Sequence, residues 1–329
     1  MSINIDLGFS EAYMLGELEC DNSVALVSIY IQNYHSFGTG NLFLQFIPRL
    51  QKLLFRPSND SQRALKNASS HYDTSNSLFA SFLSPDMSYS SAIWDTTGKV
   101  HDETLEEAQR RKVHNIIDKA CIKKEHHILD IGGGWAYLAI EAVKKTGCRV
   151  TVTTLSVEQK ALGEKRTPKP TSTGFDRVIS VEMLEHVGEE YMETYFKEIG
   201  DLLNPEHGIM VIQGITVNSQ GFHKTRSKVD TFIDRYIFPG GYLPSVRELI
   251  ERLDTGSSGS LELESVQSIG PHYARTLRLW REKFLANWET TKLLYMKERG
   301  NMTALDLEAF RRRWIYYFSY CEAGFRAGY

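Results

Sequence analysis

The sequence predicts an α/β protein with a parallel sheet, followed by a mostly helical second half. The stretch HHILDIGGGWAYLAIEAVKKTGCRVTVTTLS reads as a strand, a glycine turn, a helix and a second strand. Apolar stretches in GFDRVISVEMLEHV and HGIMVIQGITV predict two further strands. Continuous apolar runs are typical of buried parallel strands, and strands that alternate with helices form parallel sheets. Helical spacing dominates from about residue 220 onward.

The composition is that of a globular protein without the charge expected for nucleic-acid binding. The chain has 329 residues, enough for one large domain or for a core with a cap. Its net charge is −3, so no nucleic-acid partner is predicted. The four cysteines lack the spacing of metal ligands and indicate a reducing compartment, which predicts a cytoplasmic protein.

Two features bear on membrane contact. The longest apolar run, VALVSIYI, is far too short to span a bilayer, so we expect any membrane contact to be peripheral. The stretch from Tyr273 to Tyr329 holds eleven Lys and Arg against six Asp and Glu. It is either a solvated helical face over a packed core or a surface that meets anionic headgroups.

Two helices carry clear boundary signals. Apolar residues at helical spacing follow Thr104, and Glu107 completes a capping-box pattern with it, so a helix is predicted over residues 104–123. A second helix is predicted from about Trp135 to Lys145, with Gly147 as its C-cap.

The glycine turn between the first strand and the second helix predicts a ligand site. Backbone N–H groups of Gly132–Gly134 lie at a helix N-terminus, although a simple tight turn is the alternative. The dinucleotide fingerprint requires glycine where this chain has Tyr137, and no P-loop pattern is present. An acid, Asp130, followed by such a turn suits a ligand with an amino-acid cation, which points to S-adenosylmethionine.

Several motifs together resemble one family. They are LDIGGGWAYLAIEAV, VTTLSVEQ, MSYSSAIW, VISVEMLEHVG, FIDRYIFPGGYLPS, GPHYARTLRLWREKF and YYFSYCEAGF. They resemble the cyclopropane-fatty-acyl-phospholipid synthases and mycolic acid cyclopropane synthases, and EAYMLGELEC is similar to fungal-type members. The resemblance implies a class I S-adenosylmethionine-dependent methyltransferase with a Rossmann-like sheet and a helical cap. It implies a methyltransferase domain over 67–329, with the core at about 105–217 and a lipid-binding cap at about 220–329, after an N-terminal extension over 1–66.

The implied reaction adds a methylene group to the cis double bond of an unsaturated acyl chain of a phospholipid, which forms a cyclopropane fatty acid. The implied cofactors are S-adenosylmethionine, as the methyl donor, and bicarbonate, as the base. The resemblance assigns the base site to Glu185, Tyr273, Ser91, Gln213 and Cys321. Ser91 replaces the family's cysteine, and Gln213 stands where bacterial members have histidine. On residue type alone, Glu185 is also compatible with a solvated helix start, Tyr273 with a half-buried aromatic and Cys321 with a small core residue.

The same resemblance assigns the cofactor-binding residues. Those near the methionine end are Tyr89, Ser90, Gly132 and Gly134, beside the Asp130 carboxylate. Those that reach the ribose region are Thr154, Leu155 and Gln159.

The middle of the sequence is shorter than the resemblance implies. In the family a third strand follows the second, at the edge of the sheet, but here only TPKPTSTG separates Arg166 from Phe175. Pro168 and Pro170 disfavour a strand there. We therefore expect the third strand and one wall of the adenine site to be missing.

Two alternatives remain open at this point. One is a diverged C-methyltransferase that acts on another alkene or a secondary metabolite. The other is a catalytically impaired paralogue that binds lipid or acts as a scaffold. A homodimer is also left open.

Overall fold

The computed structural model describes residues 5–37, 76–98, 102–154, 174–218, 231–300 and 302–328. The predicted parallel sheet is confirmed. Its strands are β1 (His127–Ile131), β2 (Arg149–Thr153), β3 (Arg177–Val181) and β4 (Ile209–Gln213), in the order β2-β1-β3-β4. All three pairings are parallel, and Leu129 of β1 lies between Thr151 of β2 and Val178 of β3.

Helices surround this sheet and make up most of the remaining described structure. They are α1 (Ile5–Met14), α2 (Ser23–Phe37), α3 (Asn76–Phe82), α4 (Leu105–Lys119), α5 (Tyr137–Thr146), α6 (Met192–Leu202), α7 (Val246–Ser257), α8 (Gly270–Ala286), α9 (Trp288–Arg299) and α10 (Ala304–Arg326). Short 3-10 turns cover Leu184–His186 and Glu189–Tyr191, and a π turn covers Ile233–Ile237.

The sheet is buried on both faces because side chains alternate along each strand. Ile128 packs with α4 and α5 on one face, whereas its neighbour Leu129 packs with α6 on the other. In β3, Ile179 packs on the face covered by α4 and α5, and Val178 packs on the face covered by α6. The result is a three-layer α/β/α core, with α7 packed on the outside of α6.

Both predicted helices and their predicted cap residues are confirmed, although α4 ends at Lys119 rather than Lys123. Thr104 caps α4: its side chain accepts from the Glu107 backbone N–H, and the Glu107 carboxylate accepts from the Thr104 backbone N–H in return. Helix α5 ends at Gly147, which adopts the left-handed φ of 77° at the C-cap.

The cap is an aromatic core built from both ends of the chain. Helices α3, α8 and α10 bury most of its rings, among them Phe82, Trp280 and Phe318. The N-terminal helices pack into the same cluster, since Tyr13 of α1 contacts the ring of Tyr316 and Ser23 of α2 hydrogen-bonds to Ser319. The boundary at residue 66 stays a prediction.

The outer edge of β2 has no strand partner among the described residues. The chain leaves β2, returns on the other side of β1 and forms β3 there. This sheet is the one expected if the third strand of the resemblance is missing. The segment TPKPTSTG, except Gly174, lies outside the described residues.

Candidate active site

The carboxyl ends of the strands meet at one edge of the sheet and form the wall of a cleft. Asp130 comes from β1, Thr154 follows β2 and Glu182 follows β3, and all three line the cleft. Loop residues 86–90 and Lys112 of α4 also line the cleft. Ligands of open α/β sheets bind at this edge, so the fold places a site where the sequence predicts one.

The glycine turn leaves free space in this cleft. Gly132 and Gly134 adopt left-handed φ values of 74° and 52°, which favour glycine. A Cβ atom added at Gly132 would lie 2.8 Å from the Met183 side chain, whereas one at Gly134 would meet no atom within 4 Å. Backbone at Gly134 is therefore open to a ligand at the start of α5.

A buried carboxylate, Asp130, and a buried ammonium, Lys112, line the cleft. Burial raises the pKa of Asp130 to about 7, and the positive charge of Lys112 lowers it in part. The Asp130 Oδ2 atom has no hydrogen-bond partner in the described part of the chain. Lys112 donates to the Ser90 hydroxyl at 2.8 Å, and burial lowers its own pKa.

These residues fit the amino-acid end of S-adenosylmethionine. The unpartnered Asp130 oxygen is an acceptor for an ammonium group, and the open backbone at Gly134 allows close approach. Tyr89, Ser90 and Thr154 also line the cleft, and their binding of the cofactor stays a prediction. The remaining two, Leu155 and Gln159, lie outside the described residues.

We expect the Asp130→Asn variant to bind S-adenosylmethionine about tenfold to a hundredfold more weakly, because it loses a charge-assisted hydrogen bond. Wild-type affinity should rise from pH 6 to pH 8 as Asp130 ionises, and the variant should show no such rise. Titration calorimetry measures both. The exposed Asp118→Asn change serves as the control with unchanged affinity. A variant that bound as tightly as wild type at pH 8 would remove Asp130 from the site.

The predicted base-site donors converge on a carboxylate that the sequence analysis did not select. Glu182 Oε1 accepts from the Ser91 backbone N–H at 2.8 Å and from the Gln213 side-chain amide at 2.9 Å. Glu182 Oε2 accepts from the Tyr273 hydroxyl at 2.9 Å. Burial raises the pKa of Glu182, while these three bonds and the positive charge of Lys112 lower it in part.

Glu185, the predicted carboxylate of this group, faces a different partner. Its Oε1 accepts from the backbone N–H of Ile215 at 2.6 Å, and its Oε2 is buried without a partner in the described residues. Burial and the negative charge of Glu182 raise the pKa of Glu185 to about 8. Glu185 therefore holds a proton near neutral pH, and its catalytic role stays a prediction.

Aromatic rings enclose the Tyr273 side of this cluster. Tyr273 meets Trp280 edge to face at 5.8 Å and lies 4.7 Å from the ring of Phe325. Burial raises the pKa of the Cys321 thiol to about 12, so this residue, partly buried against the cap core, stays a neutral thiol. A catalytic role for Cys321 remains a prediction.

Sequence reasoning missed Glu182 and Lys112 as site residues. A signal for Lys112 was present, because it lies at helical spacing with Ala108 and Ile116 on the apolar face of α4. A signal for Glu182 was its position directly after the third apolar strand of the chain. The choice between Glu182 and Glu185 depends on backbone direction, which the spacing does not determine.

Comparisons with known proteins show the family of this chain. The family model described as "Mycolic acid cyclopropane synthetase" matches residues 59–329. The tuberculostearic acid methyltransferase UfaA1 of Mycobacterium tuberculosis is 35% identical over 98% of this chain and 76% of its own length. The cyclopropane-fatty-acyl-phospholipid synthase of Escherichia coli K12 is 32% identical over 98% and 80%. The crystal structure of mycolic acid cyclopropane synthase CmaA1, complexed with SAH and CTAB, superposes with a TM-score of 0.68 at 30% identity and covers 80% of this chain and 94% of CmaA1.

The fold, the cleft and these matches define a S-adenosylmethionine-dependent methyltransferase. The chain belongs to the mycolic acid cyclopropane synthetase family. The alignment with UfaA1 extends over 353 positions, more than the 329 residues of this chain, so that relative has residues without a counterpart here. This agrees with the expectation that an internal segment is missing.

Proposed function

We propose that this enzyme transfers a methylene group from S-adenosylmethionine to the cis double bond of an unsaturated acyl chain of a phospholipid, which forms a cyclopropane fatty acid. The observation that carries the proposal is a buried carboxylate, Glu182, that lines the cofactor cleft and is held by three donors. Relatives named for fatty-acyl and mycolic acid substrates support a lipid acceptor.

The nucleophile of this reaction would be an alkene, which is weak, and the residues of the chain suit such a reaction. When bound, S-adenosylmethionine supplies an electrophilic methyl group. An alkene reacts with it only when the two are aligned and water is excluded, and the aromatic core around Trp280 supplies apolar walls next to the cleft. The positive charge that develops on the acyl chain is stabilised by nearby aromatic faces and by Glu182.

Bicarbonate, the base that the resemblance implies, does not fit the described site. The Ser91 N–H, the Gln213 amide and the Tyr273 hydroxyl are the donors that an anion there would need. All three already donate to Glu182, whose side chain takes the place of a small anion. A second anion would add its charge to that of Glu182 in a buried site.

Peripheral membrane binding is part of the proposal and is supported by one surface. Helix α9 exposes Leu293 and Leu294, and Leu305 at the start of α10 is 74% exposed. Lys297 and Arg299 lie on the same helix as Leu293 and can meet anionic headgroups. Among the described helices, none is long and apolar enough to cross a bilayer. The cytoplasmic location and the homodimer stay predictions.

The proposal is tested by incubating the enzyme and S-adenosylmethionine with vesicles of an unsaturated phospholipid. We expect acyl chains that gain the mass of one methylene, and protein that sediments with the vesicles. Vesicles of saturated phospholipid are the matched control and should gain nothing. Transfer to free fatty acids or sphingolipids but not to phospholipid would change the substrate class, and binding of the cofactor without any transfer would favour the impaired paralogue.

A further inference from the structure

The carboxylate of Glu182 occupies an anion-binding site made of three donors from separate parts of the chain. The donors are the Ser91 backbone after α3, the Gln213 amide at the end of β4 and the Tyr273 hydroxyl on α8. Such a cradle holds a negative charge by hydrogen bonds to the charged form. In this chain the charge is covalently attached to the protein.

We propose that Glu182 is the general base of this enzyme and takes the place of a bound bicarbonate ion. The proposal deepens the function proposed above and rests on it. It makes the base a permanent part of the site, so turnover requires no added anion.

The step that Glu182 performs is a proton transfer coupled to ring closure. The π electron pair of the alkene forms a C–C bond to the incoming methyl carbon, and the C–S bond pair stays with sulfur. The other alkene carbon becomes cationic. Glu182 then takes a proton from the transferred methyl group, and the electron pair of that C–H bond forms the second C–C bond of the ring. The proton passes to water when the product leaves.

The surroundings of Glu182 keep it ready to accept this proton. Its three hydrogen bonds and the Lys112 ammonium favour the charged form, whereas burial makes the carboxylate a stronger base than a solvated one. Burial and the negative charge of Glu182 raise the pKa of the neighbouring Glu185 to about 8, which favours the neutral form of Glu185 beside the base.

The backbone conformation at Glu182 supports a functional role for the direction of its side chain. Its φ is 48°, a left-handed value that is unfavourable for a residue with a side chain. Residues held in this way cluster at active sites. Glycine adopts this φ without strain, so a Glu182→Gly variant removes the carboxylate and keeps the backbone conformation.

The test compares wild type and Glu182→Gly in buffer freed of carbon dioxide and in the same buffer with added bicarbonate. We expect wild-type methyl transfer to be equal in both. The variant should lose at least about a hundredfold in rate without bicarbonate and recover at least about tenfold with it. A wild-type enzyme that needs bicarbonate, or a variant that is fully active without it, would overturn the proposal.

A binding measurement separates this inference from the proposed function. ¹³C-bicarbonate titrated into each folded protein should show a saturable bound signal with Glu182→Gly and none with wild type. If wild type transfers no methyl group to any lipid, the proposed function fails, but this result still supports Glu182 as the occupant of the anion site. Bicarbonate binding to wild type, or none to the variant, contradicts the inference even in an active enzyme.

Discussion

Replacing Glu182 by glutamine is expected to lower kcat by about a hundredfold to ten-thousandfold, the range for loss of a general base. Glutamine keeps the volume of the side chain and one carbonyl oxygen for the Ser91 N–H, but it places an NH₂ group where Oε2 accepts from the Tyr273 hydroxyl, and it cannot accept the proton. The affinity for S-adenosylmethionine should change little. Steady-state kinetics on unsaturated phospholipid vesicles and cofactor titration measure the two effects separately.

The rate of the wild-type enzyme should also depend on pH. Burial raises the pKa of Glu182 above the ordinary glutamate value of 4.5, and the base acts only when it is ionised. The wild-type rate should therefore fall as the pH is lowered through that raised pKa. The residual rate of Glu182→Gln should lack this acidic limb.

Two other glutamate variants serve for comparison. Glu248 is also buried and accepts from a tyrosine hydroxyl, that of Tyr242 at 2.7 Å, but it does not line the cleft. Glu248→Gln should leave kcat unchanged. Glu185→Gln should cost less activity than Glu182→Gln, because Glu185 already holds a proton near neutral pH. A larger loss of activity in Glu185→Gln than in Glu182→Gln would assign the base site to Glu185, as the sequence resemblance implies.

The largest expected loss of stability follows from removing a cation beside a buried carboxylate in the cap. Glu322 of α10 is fully buried and pairs with Arg281 of α8 at 2.8 Å and with Arg326 at 2.5 Å. Arg281→Met leaves Glu322 with one partner, and we expect it to lower the free energy of unfolding by about 3 kcal/mol. Urea unfolding followed by tryptophan fluorescence measures this.

The matched control is an exposed pair of the same chemistry. Arg247 and Glu251 on α7 have side chains that are 83% and 61% exposed. Arg247→Met should leave the unfolding midpoint unchanged, since exposed pairs contribute little. The double variant Arg281→Met with Glu322→Leu should recover most of the loss, because an apolar pair can replace a buried ion pair. A double variant as unstable as Arg281→Met would show that Arg281 acts through its other contacts.

Local sequence signals were sufficient for the sheet, the capped helix α4 and the glycine turn. Each of these depends on neighbours in the chain: an apolar run, the Thr104–Glu107 pair and the Gly132–Gly134 turn. The packing of α1 and α2 against α10 could not be predicted in this way, because it joins residues about 300 positions apart, as in the Ser23–Ser319 hydrogen bond.

The three donors of the candidate site were predicted from the sequence, but the carboxylate that they hold, Glu182, was not. Tyr273, Gln213 and Ser91 do lie together. Glu182 and Glu185 lie three residues apart, and the sequence alone does not show which of the two contacts these donors. The left-handed backbone at Glu182 determines that its side chain reaches them. Composition and spacing do not encode that conformation.

Methylene transfer with loss of a proton from the transferred methyl group can be followed with trideuteromethyl S-adenosylmethionine and an unsaturated phospholipid. We expect products whose added carbon keeps two of the three deuterons, with fragmentation that shows a ring. An added carbon that keeps all three deuterons would place the proton loss on the acyl chain and would rule out ring closure by this step.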